Sequence, residues 1–389
     1  MRVLVTTSRM PSAIDQIRKL GQSGHTVFAT DVFRAAAGNH SRYVKASSVT
    51  VSPTRDPVGF VREIADLMTT QKIDMVLPAF EEVFYLATHA DMLPAGPKYF
   101  FAPFDVLSML HDKNRFLAFA GELGLHVPTS IVATSPGELT AAVREFPSFF
   151  AKPVFSRGGV ELCTNRGPLA GMLPVESCEV SSDRPWIVQE FIDGLDVCSM
   201  SIAHDGRVTG HATYVHPREI EHAGGIVFES VDEPECLDAA RRIAEATGYT
   251  GSISFDYKKT DRGMVLIECN PRPTAGVHVM SADDFDHAIR DRGGDVRVAP
   301  AGRRRMYGAA LLRDMVVHPE EATEDLKHLF SDAKEVVADP DDLVPALFQA
   351  LSYGQVLKYR REKGSRTPKD RDLMAAQFED VYWDGAAIR

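Results

Sequence analysis

At 389 residues the chain has room for two or three domains, and its 44% hydrophobic and 25% charged content excludes a mostly disordered or collagen-like protein. A formal net charge of -11 repels phosphate backbones, so no nucleic-acid partner is expected. Cys163, Cys178, Cys198, Cys236 and Cys269 form no CxxC pair and are odd in number, which predicts separate reduced thiols and a cytoplasmic location. No apolar run approaches the roughly 18 residues of a membrane span, and the opening MRVLVTTSRMPS lacks a signal-peptide core, so no membrane association is expected.

The first hundred residues alternate strand and helix. Arg2 to Thr7 reads as a strand, Pro11 to Leu20 as a helix with Ile14, Ile17 and Leu20 on one face, and His25 to Thr30 as a strand. Phe60 to Met68, Ile73 to Pro78 and Glu82 to His89 repeat the pattern as helix, strand and helix. Such alternation predicts a parallel, Rossmann-like sheet. The turn after the first strand is Thr6-Thr7-Ser8-Arg9-Met10 instead of GxGxxG, so no dinucleotide is expected there.

Pro103 to Leu125 reads as two helices joined near His111-Asp112-Lys113. Short strands follow at Phe149 to Pro153, Trp186 to Phe191, Val197 to Ala203, Val208 to Val215, Ser252 to Lys258 and Met264 to Cys269, with one helix at Glu235 to Thr247. Asp205-Gly206 and Asp261-Arg262-Gly263 mark hairpin turns, so this stretch is antiparallel α+β. Beyond about residue 300 the chain reads as helical, with Arg303-Arg304-Arg305 and the run Lys358 to Arg371 as solvated helix faces.

The chemistry concentrates in Phe255-Asp256-Tyr257 and Ile267-Glu268-Cys269-Asn270-Pro271-Arg272. Glu268 and Asn270 are two apart on a strand and share a face, with Asp256 within cross-strand reach. Three hard oxygen donors suit Mg²⁺, with Mn²⁺ as a substitute, and Arg272 adds a cation for a transferring phosphate. Lys152 on a strand, followed by Ser156-Arg157-Gly158-Gly159, has the make-up of a phosphate grip: a point charge, then glycines that let backbone N–H groups approach oxygens. Gln189 to Asp196 is an extended stretch able to present backbone groups to a purine edge and a carboxylate to ribose.

In this order, from Asp112-Lys113 through Lys152, Ser156 to Gly159, Gln189 to Asp196 and Asp256 to the ending Glu268-x-Asn270-Pro271-Arg272, the pieces resemble the ATP-grasp superfamily. The likeness covers residues 1 to about 290 and is best to carboxylate–amine ligases and carbamoyl-phosphate-synthase-type ATP-binding domains. Position 256 is Asp where the latter often have Glu or Gln. The resemblance implies an N-terminal Rossmann-like domain (1-104), a small subdomain with linking helices (105-195) and a large subdomain with the metal strand (196-300), before a helical region of unassigned role (301-389). It also implies that Lys113, Lys152 and Ser156 hold ATP phosphates under Gly158 and Gly159. Glu190, Phe191 and Ile192 would meet adenine and Asp196 ribose. Asp256, Glu268 and Asn270 would carry magnesium, while Arg272 and Lys152 act on the phosphoryl group.

The activity implied is an ADP-forming ligation in which ATP turns a small carboxylic acid into an acyl phosphate that an amine then attacks. Small-molecule acid and amine partners follow, and a homodimer is compatible. Two rivals are a bicarbonate-using carboxylase or carbamoyl-type enzyme, and a nucleotide-binding regulatory protein. For gripping the acid the candidates are Arg218, whose fork suits a carboxylate, His216 beside it, and His278 after the metal strand.

Overall fold

Three sheets follow one another along the chain in a computed structural model that describes residues 1–156, 161–220, 224–362 and 376–389. The first holds β1 (Arg2–Val5), β2 (Thr26–Asp31), β3 (Val44–Val49), β4 (Met75–Leu77) and β5 (Lys98–Tyr99), all parallel, in the order β3-β2-β1-β4-β5. Helices on both faces bury Val3, Leu4 and Val5 completely, as the unbroken apolar run of a central parallel strand requires. β3 escapes sequence reading because KASSV is polar and largely exposed, and β5 because it is two residues long.

The expected helix pair follows as Phe104–His111 and Lys113–Glu122. Asp112 separates them, and its carboxylate caps the second by accepting the N–H groups of Asn114 and Arg115. Lys113 therefore begins a helix at a fixed orientation.

The second sheet is antiparallel, with β6 (Ser130–Ala133), β7 (Phe149–Pro153), β8 (Cys163–Thr164) and β9 (Trp186–Glu190) in the order β6-β9-β7-β8. Its small core closes around fully buried Trp186 and Leu139.

The third sheet holds β10 (Leu195–His204), β11 (Arg207–Ile220), β12 (Gly224–Val231), β13 (Gly251–Thr260), β14 (Gly263–Asn270), β15 (Arg297–Val298), β16 (Arg304–Met306) and β17 (Lys334–Glu335). The order is β14-β13-β10-β11-β12-β16-β17, with β15 on β11. Asp205 and Gly206 both take left-handed φ, 47° and 84°, as a tight hairpin between β10 and β11 demands.

One expectation fails here. Arg304 and Arg305 lie on β16, paired with β12, not on a solvated helix face. Arg304 binds Glu229 at 2.8 Å, and Arg305 donates to the His278 carbonyl at 3.0 Å. Of the Lys358 to Arg371 run, Lys358 to Glu362 ends the helix Val344–Glu362, and 363–370 and Arg371 lie outside the described residues. Among the described residues no helix is long and apolar enough to cross a membrane.

His211 of β11 is buried between two hydroxyls, Ser201 at 2.8 Å and Thr213 at 2.9 Å. Burial, with a smaller contribution from Arg241, pushes its imidazolium down to about 3. The unfolded chain protonates this ring near 6.5 and the folded chain does not, so stability falls as pH drops from about 6.5 toward 3. The slope is at most about 1.4 kcal/mol per pH unit. Urea melts at stepped pH should show this acid limb flattening in His211→Gln, and an unchanged limb would remove His211 as its source.

Candidate active site

β13 and β14 pair with Asp256 opposite Glu268 and Ser254 opposite Asn270, and a bulge follows Asp256. Packing brings Lys113 to this hairpin: Phe116, one turn on, is fully buried and stacks on fully buried Phe255 with centroids 6.1 Å apart. Burying such a ring contributes about 1.5–3 kcal/mol, enough to hold the helix against the sheet.

Lys152 of β7 reaches across from the second sheet and places Nζ 2.5 Å from Glu268 Oε2. Lys113 Nζ stands 3.9 Å from the same oxygen and donates to the carbonyls of Ser156 at 2.8 Å and Val154 at 3.3 Å. Burial would raise the Glu268 carboxyl, yet Lys152 first and Lys113 next outweigh it and hold Glu268 well below the usual carboxylate range. Asp256 is the opposite case. Burial, then the Glu268 charge, push it up to about 6. Two adjacent carboxylates driven apart in this way form a pair that an added cation would stabilise.

Asn270 Nδ2 donates to Asp256 at 3.1 Å, and Asn270 Oδ1 accepts from Arg272 at 3.1 Å. The Arg272 guanidinium also lies 4.3 Å from the centre of the Phe80 ring and 3.7 Å from Glu81. Asp256, Glu268, Asn270, Arg272, Lys113 and Lys152 thus meet in one place. No cluster of three or more His, Cys, Asp or Glu arranged to hold a metal exists among the described residues. The donor set here is two carboxylates and an amide, and its hard oxygens fit magnesium.

Lys152, Asp256 and Glu268 of this group border a cavity of about 400 Å³ between the second and third sheets. Lys152, Glu190, Phe191, Ile192, Asp196, Asp256 and Glu268 line it. Within that stretch the Glu190 and Phe191 amides are engaged, donating to the Thr129 and Ser148 carbonyls at 3.0 Å each. Asp196 is at the rim and binds Lys258 at 2.7 Å. Ser156 donates its hydroxyl to the Pro153 carbonyl, and Gly158 and Gly159 lie outside the described residues. Sequence reading missed the facing wall, Thr164 to Leu169, although Asn165-Arg166-Gly167-Pro168 is a recognisable turn signal.

Arg218, expected to grip the acid, is placed otherwise. Its fork binds Asp325 at 2.7 Å and also Asp314 and Glu321, so it ties β11 to the helices Gly308–Val317 and Ala322–Leu329. The two aspartates are 0–1% exposed and draw the arginine in because buried carboxylates need a cation. His216 does line the cavity, with Nδ1 3.1 Å from Glu219. His278 is wholly buried between Asp15 and the Tyr307 hydroxyl, at 2.9 Å each, which makes it a structural tie.

The fold has counterparts among solved proteins. N5-carboxyaminoimidazole ribonucleotide synthetase in its ADP complex superposes with a TM-score of 0.61 at 14% identity, over 83% of this chain and 85% of that one. The chain has the ATP-grasp fold. An L-amino acid ligase from Bacillus licheniformis shares it with a TM-score of 0.56 at 14% identity, over 74% of each chain. In sequence, the carbamoyl phosphate synthase large chain of Thermus thermophilus is 26% identical over 201 residues, 48% of this chain and 19% of the relative. The chain therefore spans about a fifth of that relative's length. No protein-family model matches it.

Proposed function

We propose that this ATP-grasp chain is an ADP-forming ligase that activates a small carboxylic acid as an acyl phosphate and joins it to an amine. The observation that carries the reading is the meeting of Lys152, Lys113, Asp256, Glu268, Asn270 and Arg272 in one group, of which Lys152, Asp256 and Glu268 line a cavity sized for a nucleotide. Nucleotide base and ribose would lie along Glu190 to Ile192 and Asp196, with the phosphates toward Lys152. The names of the ligase and synthetase neighbours agree with this class of reaction. Five buried free thiols support a cytoplasmic setting.

An acid oxygen attacking the γ-phosphorus must overcome repulsion between anions, so cations matter more than a strong base. Lys152 and Arg272 supply fixed positive charge, and Asp256, Glu268 and Asn270 would hold magnesium, which neutralises phosphate oxygens when bound. The new P–O bond forms as ADP leaves. The amine nitrogen then attacks the acyl carbon, loses a proton, and phosphate departs. Hydrolysis competes at that stage, so exclusion of water from the cavity is as necessary as charge.

The test is a matrix of acid and amine pairs with MgATP, read by phosphate release and by mass spectrometry of hits. Release that needs both partners, with a product equal to their sum less one water, is the expected result. Release supported by bicarbonate in place of an organic acid would move the chain to the carboxylase class.

A further inference from the structure

The segment Ala376 to Arg389 is tied to residues of the first hundred and contacts those that support the charged site. Arg9, in the turn after β1, binds Asp380 through both terminal nitrogens, and both side chains are buried. Tyr85 donates its hydroxyl to the Tyr382 carbonyl at 2.6 Å. Beyond these anchors, three residues touch the supports of the site. Phe378 stacks on Phe80 at 4.6 Å between centroids, and Phe80 is the ring beside Arg272. The Trp383 backbone N–H donates to Glu81 at 3.0 Å, and Glu81 is the carboxylate 3.7 Å from Arg272. The Trp383 ring packs edge-on against Phe155 at 5.3 Å and parallel to His111 at 6.1 Å. Phe155 lies between Val154 and Ser156, whose carbonyls hold Lys113, and His111 precedes the Asp112 cap that orients Lys113.

Gly385 completes the contact. Its φ is +90°, and an added Cβ would stand 2.4 Å from the Phe155 ring, so the chain passes Phe155 at a distance no other residue permits.

The geometry points to Trp383 as a positioning residue of the phosphoryl-transfer end of the site: its ring packs on Phe155 of the Val154–Ser156 loop that Lys113 grips, and so anchors the backbone N–H that binds Glu81 beside Arg272. This inference rests on the ATP-ligase reading. It adds that the last fourteen residues are part of the active-site framework, although none of them lines the cavity. The supports of Arg272 and Lys113 lie at the transferring phosphate, whereas the walls for base and ribose lie elsewhere. Loosening Trp383 should therefore weaken binding of a triphosphate more than binding of a diphosphate.

Affinities for magnesium AMP-PNP and magnesium ADP, measured by calorimetry on the full chain, read this directly. In Trp383→Ala, which keeps the backbone N–H to Glu81 but removes the ring that anchors it, the ratio of the two affinities should shift against AMP-PNP by about tenfold, and Trp383→Phe, which keeps a ring against Phe155, should restore most of it. Phe378→Ala, at a half-buried position that disturbs only the Phe80 side of Arg272, should shift the ratio the same way by a smaller factor. If Trp383→Ala fails to melt cooperatively, Phe378→Ala decides alone. A ratio equal to wild type in the folded variants overturns the inference. A wild-type chain that binds neither nucleotide overturns instead the ATP reading beneath it.

Discussion

Replacing Glu268 by Gln should cut acid- and amine-dependent phosphate release by at least about a hundredfold while the chain stays folded. The substitution is isosteric, so it takes no volume from the β13–β14 hairpin. It removes the charge on which Lys152 and Lys113 converge, and one of the two carboxylates able to hold magnesium. Nucleotide affinity should change far less than turnover, because the cavity walls from Glu190 to Asp196 are untouched. Asn270→Ala should lose turnover in the same direction and also release Arg272, which it now holds at 3.1 Å. Wild-type phosphate release by Glu268→Gln at saturating magnesium would remove the metal role from this strand.

Arg218→Ala should act on stability. It leaves Asp314 and Asp325 buried without the cation that both now share, and breaking such a buried group costs about 3–5 kcal/mol. His318, 2.7 Å from Asp314, supplies partial relief when protonated. Denaturant melts should show the loss, and Arg218→Lys should recover only part, since a single ammonium cannot serve three carboxylates with one planar fork. An unchanged melt together with a raised KM for the acid would return Arg218 to the substrate.

The two residues show where sequence is readable. Asp256 and Glu268 lie twelve positions apart across a hairpin with a plain turn signal, and the period of two along a strand already sets their common face. Arg218 meets partners 96 to 107 positions away, and nothing local in Tyr214 to Glu219 announces them. An arginine poised for a substrate carboxylate and one held by buried protein carboxylates carry the same local pattern. β16 is hidden for a similar reason. Arg303-Arg304-Arg305 has no strand-forming side chain, and its pairing is imposed by β12 and by Glu229. Trp383, the second of two tryptophans, lies in a tail that carries no motif, and the hint there is that so large a ring needs burial.

The position of β14 in its sheet has a consequence for handling the protein. It ends the strand order, so one row of its N–H and C=O groups has no neighbouring strand, and such an edge can template pairing between molecules. Here the edge is guarded. The Leu266 N–H donates to the His126 carbonyl at 2.8 Å, and the helices Phe104–His111 and Lys113–Glu122 pack alongside. The same stretch of chain thus delivers Lys113 and keeps the edge covered. Changes that lengthen or loosen Leu123 to Val127 would uncover an apolar, β-rich strand, and their first symptom would be concentration-dependent precipitation of the purified protein, with inactivity following from it.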